Sequence, residues 1–169
     1  MPSSSVPLVV ILFGVSGVGK TVVGSRLAGE LGWTFYDADS FHSPDNIDRM
    51  RRGIPLTDAD RWPWLEQVRE KITHCLAAGQ SAVVACSALK AAYRQYLAGD
   101  DRVRFVHLQG DQELIGSRLG QRRDHYMDPQ LLHSQFDALD EPGPGTLVVN
   151  VRASPGAIVE RIRNELDLR

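Results

Sequence analysis

The sequence is poor in the features that mark specialised classes of protein. Only two cysteines occur in 169 residues, Cys75 and Cys86, with no CxxC pair and no histidine at a zinc-binding spacing. That excludes a disulfide-built scaffold and reads both thiols as reduced packing residues. Long hydrophobic runs are missing too. The apolar stretch Leu8–Phe13 is about half a secretory core and far short of the roughly 20 residues that span a bilayer. It follows Met1-Pro-Ser-Ser-Ser, without the positive charge that opens a secretory leader. Neither sign of charge dominates: 19 Lys and Arg against 21 Asp and Glu leave a net charge of −2. No broad cationic field therefore recruits nucleic acid or an anionic membrane, although net charge says little about a single cleft. What remains is ordinary globular composition, 43% hydrophobic and 24% charged. The expectation is one soluble, cytoplasmic domain over residues 1–169.

Hydrophobic patterning predicts strands alternating with helices. Leu8–Phe13 reads as a strand buried on both faces. Lys20–Leu31 carries Val23, Leu27 and Leu31 at helical spacing and stops at Gly32. Further strands are expected at Thr34–Asp37, Ser81–Cys86, Val103–Leu108 and Thr146–Val151. Further helices are expected from Ser43-Pro44 to Arg52, and over Asp60–Ala78, Ala88–Leu97, Gln112–Arg122, Pro129–Leu139 and Pro155–Leu168. Such alternation predicts an α/β layer fold with a parallel sheet and right-handed crossovers.

Between the first strand and helix lies Gly14-Val15-Ser16-Gly17-Val18-Gly19-Lys20-Thr21, which matches G-x-x-x-x-G-K-T/S at every fixed position. Glycines let backbone N–H groups turn inward around phosphate oxygens, and the helix N-terminus adds partial positive charge. Lys20 then reaches the β- and γ-phosphates of ATP, and the Thr21 hydroxyl is positioned to ligate Mg²⁺. Asp37 and Asp39 follow the second strand. In extended backbone residues i and i+2 share a face, so both carboxylates look into one cleft at the carboxyl ends of the strands. Asp37 then orients a metal-bound water and Asp39 accepts a substrate proton; the other reading is an Asx-type cap for the following turn.

With GVSGVGKT come three narrower motifs: DADSFHSPDNIDRMRRGIPLTDADRWPWL (37–65), CSALKAAYR (86–94), and LQGDQELIGSRLGQRRDHYM (108–127) with LLHSQFDALDEP (131–142). Together they resemble the gluconate kinases, the small P-loop sugar-acid kinases, over most of the chain. The resemblance implies a three-layer P-loop kinase fold, a five-stranded parallel sheet flanked by helices with a mobile lid at 122–129. It also implies transfer of the ATP γ-phosphoryl group to the 6-hydroxyl of D-gluconate, in an enzyme that works as a homodimer. The chain departs from the usual family pattern at Ala38, Ser43 and Val18, none of which removes a charged group.

A polyhydroxylated acid calls for cations and hydrogen-bonding groups. His42, Asn46 and Arg49 fall at spacings of four and three, and Lys90 and Arg94 four apart after the third strand. His42, Arg49, Lys90, Arg94 and the lid residue His125 are expected to contact substrate, with a solvated surface position the other reading for each cation. Arg118, Arg122 and Arg123 lead into the lid; Arg118 and Arg122 are expected on ATP, with Arg122, Lys20 and Asp39 acting on the transferring group. The loop at Arg152–Pro155 is expected against the adenine by fold analogy. Trp62 and Trp64 read as packing residues or as a platform. The rival functions are another small-molecule P-loop kinase, such as a shikimate or adenylylsulfate kinase, and a non-catalytic nucleotide-binding switch, against which stands the absence of NKxD.

Overall fold

Five consecutive apolar residues, Val9–Phe13, form β1, and every one of them is fully buried. A strand this apolar has to lie inside the sheet, and it does: the strand order is β2-β3-β1-β4-β5. The computed structural model of the chain describes residues 6–120 and 129–169. Arg122, Arg123 and His125 of the expected lid lie outside the described residues. The remaining strands are β2 Thr34–Asp37, β3 Ala82–Ala85, β4 Val103–Gln109 and β5 Leu147–Asn150, all paired in parallel. Ile11 of β1 sits in register with Val84 of β3 and Phe105 of β4.

Alternation along β1 divides the interior. Val10 and Leu12 face α1 (Lys20–Leu31), α5 (Gln112–Gly120), α6 (Pro129–Ala138) and α7 (Pro155–Glu165). Val9, Ile11 and Phe13 face α3 (Asp58–Ala77) and α4 (Ala91–Leu97). The expected three layers are therefore present, with α2 (Pro44–Arg51) outside them near the carboxyl ends of the strands. Because β1 has neighbours on both sides reached by opposite turns of the chain, its carboxyl end opens a crevice for ligand.

Helix starts deviate from the expected ones for identifiable reasons. Helix α3 begins at Asp58, because Thr57 and Asp60 satisfy each other's backbone N–H groups in a capping box. Helix α4 begins at Ala91 rather than Ala88. Ala88 takes φ +37°, and the Ala91 N–H is capped from far away by Asp140 Oδ2 at 2.8 Å.

Arg94 explains this irregular start. Its Nη1 donates to the carbonyls of Ala88 and Leu89 at 2.9 and 2.8 Å, and its Nη2 to those of Asp140 and Glu141, both at 3.0 Å. The side chain is buried, so the expectation that Arg94 meets substrate is corrected: the guanidinium joins two loops whose carbonyls have no helix or strand partner. Arg94→Met should lower unfolding free energy by roughly 2–4 kcal/mol; denaturant titration checks this, and an unchanged midpoint would contradict it.

His107 of β4 stacks on Phe13 with centroids 4.8 Å apart, and its Nδ1 is buried without a hydrogen-bond partner. Burial, then the charges of Arg94 and Lys20, push its pKa from 6.5 down to about 4. His42 is likewise down to about 4, through burial and then Arg61. Both stay neutral in the fold while the unfolded chain takes up protons below 6.5. Stability is thus fully present above 6.5 and declines as pH falls toward 4. Thermal melts across that window should show the decline, and His107→Phe should make it shallower.

Candidate active site

The site forms where β1 ends and the chain must turn into α1. Gly14 has φ +153°, and a Cβ there would stand 2.7 Å from the Leu108 carbonyl oxygen of β4. The turn passes too close to the neighbouring strand for any side chain. Val15 and Val18 anchor the loop by burying their side chains. Gly19, the N-cap of α1, has φ +108° and no side-chain cap, and the first turn carries no acidic residue. The uncapped N–H groups and the helix dipole make this an anion-binding end. Lys20 Nζ folds back onto the carbonyls of Gly14 and Val15 at 2.8 and 2.9 Å. Burial pushes its pKa down, while Asp39, Cys86 and Asp37 pull it up. Burial also pushes the Cys86 thiol up to about 12, so it is no nucleophile.

The geometry of the acid pair differs from the expected one. Asp37 closes β2, but the backbone then enters a 3-10 turn over Ala38–Phe41, so Asp39 is not in extended chain. Asp37 Oδ1 accepts the Asp39 N–H at 3.0 Å, and the turn is held from below by the Trp64 indole N–H on the Ala38 carbonyl at 2.7 Å. The capping reading of Asp37 is therefore correct. It does not displace the acid pair from the cleft: both carboxylates act on Lys20, and Asp39 lines the same pocket. Burial raises the Asp37 pKa against the Asp39 N–H bond, Lys20 and the Thr21 hydroxyl, which favour its charged form. Thr21 and Asp37 thus offer oxygen donors suited to a hard cation. No cluster of three His, Cys, Asp or Glu side chains suited to a metal occurs among the described residues. A divalent ion here fits only with phosphate and water completing its shell, which is the habit of Mg²⁺.

A pocket opens beside the phosphate loop, and its polar lining includes Ser16, Lys20, Asp39, His42, Arg61 and Gln135. His42 is stacked on Trp64, centroids 4.1 Å apart, with Nδ1 3.3 Å from Asn46 Nδ2. Asn46 donates that bond, so the proton of neutral His42 sits on Nε2 and the ring is a hydrogen-bond donor rather than a cation. Trp64 is a buried support of this wall, whereas Trp62 is exposed and meets Tyr93 and Tyr96 edge-on.

Other expected contacts are engaged elsewhere. Arg49 Nη1 lies 2.9 Å from both Asp60 carboxylate oxygens, and Lys90 Nζ lies 2.7 Å from Asp58 Oδ1. Neither lines this pocket, and each has an acidic partner supplied by the start of α3. Arg118 Nη2 donates to the Val151 carbonyl at 2.7 Å, which places it beside the loop after β5, where Arg152 pairs with Asp111 at 2.8 Å. Arg122 and His125 fall outside the described residues. Arg61 and Gln135 are among the pocket residues that sequence patterns did not assign to the site. Arg61 follows the Asp60 that caps α3, and Gln135 lies within LLHSQFDALDEP; position on a helix face was the only signal for either.

No helix among the described residues is long and apolar enough to cross a membrane. The AAA domain family matches residues 9–141. The gluconokinase of Gluconobacter oxydans is 41% identical over 92% of this chain and 89% of its own length. The crystal structure of a gluconokinase from Sinorhizobium meliloti superposes with a TM-score of 0.83 at 36% identity, covering 96% of this chain and 97% of that one. A shikimate kinase from Bacteroides thetaiotaomicron, 18% identical with a TM-score of 0.65 over 95% of this chain and 99% of its own, shares the fold. A phosphate loop, an acid pair and a polar pocket on one sheet edge are thus joined to close sequence likeness over nearly the whole length, and the chain belongs to the gluconokinase family.

Proposed function

We propose that this protein transfers the terminal phosphoryl group of ATP to the 6-hydroxyl of D-gluconate, giving 6-phospho-D-gluconate and ADP. One observation carries the reading: Lys20 of the phosphate loop and Asp39 line the same pocket as Arg61 and His42. A cation for phosphate, an acid for a proton and a second cation for a carboxylate are thus gathered around one cleft.

The gluconate oxygen forms a bond to the γ-phosphorus, its proton passes to the Asp39 carboxylate, and the bond to the bridging oxygen of ADP breaks. Lys20 exchanges the Gly14 and Val15 carbonyls for phosphate oxygens, which restores the charge that burial disfavours. Val15, Ser16, Gly17, Val18 and Gly19 offer backbone N–H groups around the phosphates. Thr21 would ligate Mg²⁺ and Asp37 would orient one of its waters. Mg²⁺, when bound, neutralises charge on the β- and γ-phosphates. Arg61 meets the carboxylate of the sugar acid, since it and Lys20 are the cations lining the pocket among the described residues. His42 donates from Nε2 to a substrate hydroxyl. Arg118 serves the nucleotide loop; Arg122, assigned to the phosphates, and His125, assigned to the substrate, lie outside the described residues, and the enzyme is cytoplasmic and homodimeric.

Asp39→Asn should lower kcat about 10²- to 10⁴-fold with ATP affinity nearly unchanged. Coupled ADP release with gluconate reads the rate, and near-normal turnover would remove Asp39 as the base. Arg61→Met should raise KM for gluconate about 10- to 100-fold, the worth of charge-assisted hydrogen bonds, with little change in KM for ATP. An equal loss for both substrates would contradict the carboxylate assignment.

A further inference from the structure

The motif LLHSQFDALDEP has no role in the chemistry above, yet the structure puts it on the phosphate loop. Leu131 and Leu132 are buried and seat α6 on the core, and Gln135 turns into the pocket beside Lys20 and Asp39. Its Oε1 accepts the Ser16 backbone N–H at 2.7 Å, and its Nε2 donates to the Ser16 hydroxyl at 3.1 Å. One amide thereby holds the backbone N–H and the hydroxyl of a loop residue 119 positions away. The motif's far end is equally fixed. The Asp140 N–H donates to the Leu89 carbonyl at 2.9 Å, and the carbonyls of Asp140 and Glu141 hold Arg94. Gln135 is thus delivered to Ser16 by a helix anchored at both its core face and its exit.

Ser16 belongs to the turn whose N–H groups suit phosphate, and the amide oxygen of Gln135 occupies one of them. A neutral amide and a phosphate oxygen compete for that N–H, and the anion makes the stronger hydrogen bond. The displaced side chain stays in the pocket, where its oxygen accepts from one hydroxyl and its NH₂ donates to the next, a match for the adjacent hydroxyls of an aldonate.

We propose that Gln135 is a positioning residue that couples the two substrates: it closes Ser16 in the nucleotide-free enzyme and is turned onto the sugar-acid hydroxyls when a terminal phosphate arrives. The proposal rests on the gluconate reading. Binding is then reciprocal, each substrate tightening the other by the same factor. ADP, which lacks the γ-phosphate, leaves Gln135 on Ser16 and gives no tightening. The device disfavours transfer to water, because the acceptor site is completed only when both partners are present.

Isothermal titration of gluconate into the full-length protein, alone, with ADP and Mg²⁺, and with a non-hydrolysable ATP analogue and Mg²⁺, tests this. The wild-type protein should bind gluconate at least about fivefold tighter with the analogue, and unchanged with ADP. Gln135→Ala should bring that factor to near unity while binding the analogue at least as tightly as wild type, since nothing has to be displaced. Gln135→Glu, which puts a negative charge where the terminal phosphate arrives, should weaken the analogue but not ADP. Equal coupling in wild type and Gln135→Ala, no coupling in wild type, or weaker analogue binding by Gln135→Ala would each overturn the inference. Gluconate turnover by the wild-type protein is measured first. Its absence would overturn the functional reading itself, whereas turnover with coupling intact in Gln135→Ala would overturn only the role of Gln135.

Discussion

Everything at this site depends on the turn at the end of β1. A strand with no exposed residue has to stop abruptly against β4, and Gly14 passes 2.7 Å, measured from a Cβ it does not have, from the Leu108 carbonyl. That close approach aims the chain back over the sheet edge and starts α1 with its N–H groups uncapped. Lys20 is the first residue of that helix, half-buried, and bonded to the loop's own carbonyls. The cradle is therefore shaped before any ligand enters, and an entering phosphate replaces contacts of similar kind instead of organising a loose segment.

The rest of the site is hung on this turn by long-range contacts. Trp64 supports the 3-10 turn that carries Asp39 and the ring of His42. Arg94 ties the loop after β3 to the segment after α6, and that segment continues the helix bearing Gln135. One feature unites these supports: each is a buried side chain donating to backbone carbonyls or stacking on a ring. Burial also sets the charge states of the functional groups. It keeps His42 neutral and works against the charge on Lys20, which the neighbouring acids help to maintain.

The fold and the phosphate loop were legible in the sequence because both follow from local rules: an unbroken apolar run, glycines at a fixed spacing, helical periodicity afterwards. The identities of the acids were legible, but their arrangement was not. Two aspartates separated by one residue look alike in an extended strand and in a 3-10 turn, and the Asp39 N–H bond to Asp37 chose the turn. The cations were harder. Arg49, Lys90 and Arg94 stand in narrow motifs, but their partners, Asp60, Asp58 and the Asp140–Glu141 carbonyls, lie at sequence separations of 11, 32, 46 and 47. No spacing rule reports such pairings. Arg61 and Gln135 were missed for the converse reason, since only the packed helices show that they face the pocket.

The most direct test of the central claim is a crystal structure with a non-hydrolysable ATP analogue, Mg²⁺ and gluconate. The account predicts Lys20 Nζ on β- and γ-phosphate oxygens, the loop amides around the phosphates, and the 6-hydroxyl between Asp39 and the terminal phosphorus. A nucleotide bound away from the loop, with Lys20 still on the Gly14 and Val15 carbonyls, would contradict it.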